Sequence, residues 1–146
     1  MNTIDKPLHI VGISTVTTNE LAVQDNSIGK LWAHFLNVDI KELLGDLAST
    51  SIFAVYSNYE DRYHGHYTVT IGYAVNDANQ IPAGLSSVTI PAGNYKKYDA
   101  KSNSPQDILA AWQHVWADDA TLHRNFIADF EEYHGNDVSI YVGVSP

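Results

Sequence analysis

The chain contains no cysteine. That absence removes disulfides, thiolate nucleophiles and cysteine-ligated zinc together. Basic residues are also scarce. Only 8 of the 146 residues are Lys or Arg, against 17 Asp or Glu, so the formal net charge is −9. A nucleic-acid binder needs clustered cations to displace phosphate counterions. Here Lys96–Lys97 is the one adjacent pair. An anionic membrane surface would repel the chain for the same reason, and no apolar run approaches the roughly 18 residues of a bilayer span. The opening residues Met1 to Pro7 lack the basic and apolar regions of a signal peptide, and a cytoplasmic protein is expected. Direct binding to nucleic acid or membrane is not.

Against these absences stand nine Tyr, four Phe and three Trp, within a chain that is 45% hydrophobic. That composition supports a packed core. Its length fits one domain, residues 1–146.

Two segments repeat at an offset of 80 residues. Ile28, Trp32 and His34 recur as Ile108, Trp112 and His114. Ile28, Leu31, Trp32 and Phe35 follow the i, i+3, i+4, i+7 pattern of an amphipathic helix, and Ile108, Trp112, Val115 and Trp116 form a similar stripe. Asn26-Ser27 and Ser104-Pro105 supply start signals. The flanks also match: Ser51–Tyr59 aligns with Asn125–Tyr133, and Val69–Val75 with Val138–Val144, as β-branched strands of period two. One strand precedes each helix, Leu8–Thr17 and Ser86–Tyr98. The reading is an α+β domain of two βαββ halves, about 6–76 and 85–145, related by a pseudo-twofold axis. Asn76 to Gly84, rich in turn residues, joins them. A short helix is expected over Ile40–Leu47, and a loop at Asp118-Asp119.

Strand parity assigns faces. Phe53, Val55, Ser57 and Tyr59 are expected to face the helices, with Ile127, Asp129, Glu131 and Tyr133 as their counterparts. Val69, Ile71, Tyr73 and Val75 join that face, with Val138, Ile140, Val142 and Val144. Tyr56, Phe130 and Tyr141 fall on the outer face, where they offer a surface for a homodimer. A carboxylate among rings is costly unless partnered, which singles out Glu131. The aromatic helix stripes read first as core.

Other constellations are weak. His64-Gly65-His66 has a metal-like spacing but sits in an apparent hairpin with Tyr63 and Tyr67, so no metal site is assigned. His34 and His114 read as helix-surface groups. There is no G-x-S-x-G elbow and no phosphate loop; no cofactor is expected. Asn94–Lys101 reads as a solvated strand edge.

The stretch Leu122-His123-Arg124-Asn125-Phe126-Ile127-Ala128-Asp129-Phe130-Glu131-Glu132-Tyr133 resembles the L-x-R-x-[YF]-x-x-D-F-E-x-Y signature of the GyrI-like family, the effector-binding domains of AraC-type and MerR-type regulators. Val88 to Tyr95 resembles the family's v-x-I-P-A-G-x-Y strand. Val138 to Val142 resembles its closing strand, with Gly143 where Pro is usual. The resemblance implies a curved antiparallel sheet of about eight strands, two main helices, and a ligand cleft near the twofold axis. It implies that Glu131 meets lipophilic cations in an aromatic pocket. Trp32, Trp112, Tyr59, Tyr73 and Tyr133 are the expected walls, by face parity. It also implies a stand-alone member, of the kind encoded in integron cassettes, that would regulate transcription only with a separate DNA-binding partner. Two other activities are carried by the same resemblance. One is a small hydrolase opening electrophilic rings, with Glu131 as general base and Tyr133 assisting. The other is a protein-interaction module.

Overall fold

A computed structural model describes residues 2–62, 64–79 and 81–146. Tyr63 and Gln80, assigned from sequence to a hairpin turn and to the joint between halves, lie outside the described residues, as does Met1.

Eight strands form one antiparallel sheet. In chain order they are β1 (Asn2–Ile4), β2 (Leu8–Thr17), β3 (Leu47–Ser57), β4 (Tyr67–Val75), β5 (Ser86–Ile90), β6 (Gly93–Asp99), β7 (Ala128–His134) and β8 (Asp137–Val144). The helices are α1 (Asn19–Gln24), α2 (Ser27–Asn37), α3 (Ile40–Leu43), α4 (Pro105–Ala117) and α5 (Asp119–Leu122). The two long ones, α2 and α4, are the repeated Trp segments. Ser104 caps α4 by accepting from the Asp107 amide at 3.2 Å, and Pro105 occupies the first turn, where no intrahelical donor is needed.

The sheet order β1-β6-β8-β7-β3-β4-β2-β5 is symmetric about its centre. β7 and β3 meet there, each half runs outward through the same succession, and the outermost strands are exchanged. β1 pairs with β6 of the other half, and β5 with β2. Residues 2–12 and 86–95 therefore form one antiparallel ribbon that ties the ends of the curled sheet.

Several sequence expectations change. Ser86–Tyr98 is two strands, because Pro91 has no amide to continue a ladder. The short helix ends at Leu43, and Leu47 already opens β3. Asp119–Leu122 is helical where a loop was expected, and α1, capped by the Thr18 hydroxyl, was not foreseen. Lys96 and Lys97 do stand at an edge, since β1 covers only Gly93–Tyr95 of β6.

The largest correction concerns β3. Its helix-facing residues are Ile52, Ala54 and Tyr56, which pack with Leu31, Phe35 and Ile71. Phe53 and Val55 lie on the opposite face with Ile10, Tyr95 and Phe130. The register pairs Ala54 with Glu131 and Tyr56 with Asp129, so Ser57, opposite Ala128, is not the twin of Glu131. The sheet curls over its second face and buries that too, so hydrophobicity did not distinguish the faces. Phe130, only 2% exposed, stacks on Tyr141 with centroids 4.7 Å apart, so it is core. β4 and β8 follow the expected parity: Val69, Ile71 and Tyr73 pack under α2, and Ile140 and Val142 under α4.

Close backbone approach shapes the curl. Gly12 and Gly72 sit opposite each other across β2 and β4. A Cβ on Gly12 would come within 1.9 Å of the Ile71 carbonyl oxygen, so only glycine fits this crossing.

Candidate functional site

The site is built on β7, at the centre of the sheet. In a strand, alternate residues share a face about 6.5–7 Å apart. Asp129, Glu131 and Tyr133 thus point together toward the helices.

Asp129 is fully buried and fully partnered. Its Oδ2 accepts from the Arg124 guanidinium at 2.7 Å and the Tyr59 hydroxyl at 2.5 Å; its Oδ1 accepts from the Gly143 amide at 2.8 Å. Gly143 suits this place twice over. Proline would lack that donor, and a Cβ would lie 2.7 Å from the Asn125 side-chain oxygen. The Arg and Asp of the signature are therefore one buried ion pair, joined across a connection whose His123 and Phe126 adopt left-handed φ of 55° and 54°.

Glu131, 2% exposed, has no such cation. Among the described residues no ion pair reaches it. Its Oε2 accepts from the Trp112 indole at 2.7 Å and the Tyr56 hydroxyl at 3.2 Å, and its Oε1 accepts from the Tyr133 hydroxyl at 2.5 Å. Burial pushes its carboxyl above the usual carboxylate range, while the bonds from Tyr133, Trp112 and Tyr56 pull the other way. The phenols of Tyr56 and Tyr133 are raised as well, by burial first and then by the neighbouring carboxylate.

Above this floor lies a cavity of about 710 Å3. The N-terminal part of α2 with α1 forms one wall, and α4 the other; β3, β4 and the loops after β3 and α5 complete it. Its rings form a run in which each touches the next: Phe126 and Tyr59 at 5.6 Å, Tyr59 and Tyr67 at 6.0 Å, Tyr67 and Tyr56 at 6.1 Å, Tyr56 and Trp112 at 5.5 Å, and Trp112 and Trp116 at 6.3 Å. Glu131 underlies the Tyr56–Trp112 end of this run, and Asp129 the Tyr59 end.

Of the residues named from sequence, Trp112 and Tyr59 line the cavity. Glu131 lies directly beneath it, and Tyr133 reaches it only through Glu131. Trp32 and Tyr73 lie apart from it. Trp32 packs edge-on against Tyr133 at 4.9 Å, and Tyr73 tilts against Phe35 at 5.7 Å, in the core under α2. Sequence reasoning missed Tyr56, Tyr67 and Phe126 as wall residues and gave Trp116 to the core. For Tyr56 the cause was the inverted parity of β3. Phe126, Arg124 and Asp129 were visible in the signature as letters without roles.

His66 Nδ1 lies 3.6 Å from Glu60, and no group of three metal-ligating side chains occurs among the described residues. No helix there is long and apolar enough to cross a membrane.

A symmetric curled sheet holding an aromatic cavity over a buried acid defines an effector-binding domain. The chain belongs to the Cass2 family, described as integron-associated effector binding protein, which it matches over residues 5–144. YobU of Bacillus subtilis, named as a candidate transcriptional regulator, is 30% identical over 143 residues, covering 91% of this chain and 89% of YobU. An integron cassette protein from the mobile metagenome of Vibrio cholerae has the same fold, with a TM-score of 0.82 at 24% identity over 99% of this chain and 94% of that one. So does SAV2435, solved bound to tetraphenylphosphonium, with a TM-score of 0.77 at 16% identity over 99% of this chain and 92% of that one.

Proposed function

We propose that this protein binds lipophilic aromatic cations in the cavity between α2 and α4, with Glu131 as counter-charge. The observation that carries this reading is a buried carboxylate, held among the described residues by three neutral donors and no cation, directly under a run of rings. An incoming cation supplies the missing charge. The ring faces add roughly 0.5–2 kcal/mol for each cation contact, more as water is excluded. The −9 net charge raises the local concentration of cations. The likeness in fold to a protein that holds tetraphenylphosphonium supports the same class of ligand.

Trp112 sits on both the cavity and Glu131, so ligand entry should change its fluorescence. Titration with tetraphenylphosphonium should quench the wild-type emission saturably. Glu131→Gln keeps the shape and removes the charge, and should weaken binding by roughly ten- to a hundredfold, the range for losing a buried charged partner. Equal affinity for both proteins would refute the counter-charge.

A further inference from the structure

The cavity also carries a cation at the end away from Glu131. Arg62 lines the cavity, in the loop between β3 and β4. Its guanidinium carbon stands 5.5 Å from the Phe126 ring centroid, at the far end of the ring run from Trp112 and Glu131. Arg124 also stands over that ring, at 4.3 Å, but its charge is balanced by Asp129. Asp119 is the carboxylate among the lining residues, and it makes no ion pair with Arg62; among the described residues none joins Arg62 to any acid.

The loop is built to hold Arg62 there. Its ends are clamped by the Glu60 amide on the His66 carbonyl at 2.8 Å and the His64 amide on the Asp61 carbonyl at 2.6 Å. The Glu60 carboxylate fills the space above Gly65, whose φ of +81° favours glycine, and accepts from the His66 amide at 3.2 Å. Arg62 itself is held at φ 38°. A non-glycine residue pays for that conformation, and such strain gathers where a side chain must be aimed.

We propose that the ligand is amphoteric: an aromatic skeleton with its cationic centre over Glu131 and an acidic group, carboxylate or equivalent, on Arg62. The proposal rests on the cation-binding reading of the same cavity and adds the opposite pole. A guanidinium offers a planar pair of donors matched to a carboxylate. A purely cationic ligand gains nothing from Arg62 and is repelled by it, so the residue sorts zwitterions from simple cations.

A matched pair of dyes separates the two claims: tetramethylrhodamine, a zwitterion, and its methyl ester, a cation of nearly the same shape. Fluorescence anisotropy gives both dissociation constants for the wild type, Arg62→Gln and Glu131→Gln. The wild type should prefer the zwitterion. Arg62→Gln should weaken the zwitterion by about two- to fivefold, the range for an exposed charged pair, and leave the ester unchanged or slightly tighter. Glu131→Gln should weaken both. If Arg62→Gln shifts both dyes alike, or neither, while Glu131→Gln still weakens them, the amphoteric proposal fails and cation binding stands. If neither dye binds the wild type, or Glu131→Gln has no effect on either, both readings fail together.

Discussion

Glu131 and Asp129 are two carboxylates on one face of one strand, yet their surroundings give them different work. Asp129 meets a guanidinium, a phenol and an amide, and its charge is spent inside the fold. Glu131 meets donors that stabilise charge without cancelling it. Its raised carboxyl has a consequence for stability. A carboxyl whose folded pKa lies above its unfolded value binds its proton more tightly when folded. It therefore adds stability below the ordinary glutamate pKa of about 4.3, and that contribution is lost as pH rises through the folded value. Glu131→Gln cannot ionise and escapes that loss. Thermal unfolding should show the variant at least as stable as the wild type at pH 7.5, with the difference shrinking toward pH 4. A deficit that is the same at both pH values would contradict this. In the sequence Glu131 stood out through a supposed pairing with Ser57, which the register removes, and through its place in the family signature, which holds. No such sign marked Arg62, an exposed residue in a polar loop, whose aim depends on left-handed backbone.

At the scale of elements, the Arg124–Asp129 pair is a rivet. It joins the connection after α5 to β7, to β8 through the Gly143 amide, and to the loop after β3 through Tyr59. Breaking one side of a buried pair strands the other charge, at about 3–5 kcal/mol. Arg124→Ala and Asp129→Ala should each cost about that much in urea unfolding. The double variant should cost clearly less than their sum, because no charge is left unmatched; simple additivity would mean the pair is not coupled. Elements with strong local signals were readable from sequence: α2 and α4 from their apolar spacing, α4 from its Ser-Pro start, β4 and β8 from alternation. Those set by tertiary context were not. The β3 face, the break at Pro91 and the exchange of β1 and β5 all depend on how the two halves close on each other, which no window of one segment contains.

For the molecule as a whole, scarcity of basic residues and abundance of rings now have specific places. Rings fill both faces of the sheet, and one run of them roofs an acid that has no counter-ion among the described residues. The internal repeat was legible because both halves kept Ile, Trp and His in register. The cavity was less so, because the halves contribute to it unequally: Trp112 lines it and touches Glu131, while its counterpart Trp32 is packed into core. If Glu131 is the counter-charge, binding a cation must stabilise its ionised form and expel a proton from the fraction that is protonated. The most direct measurement is calorimetric titration with tetraphenylphosphonium in two buffers of different ionisation enthalpy, repeated at several pH values. The account predicts net proton release by the wild type that peaks at a pH above the ordinary glutamate range and disappears in Glu131→Gln. Proton release that is zero at every pH, or that persists unchanged in Glu131→Gln, would contradict it.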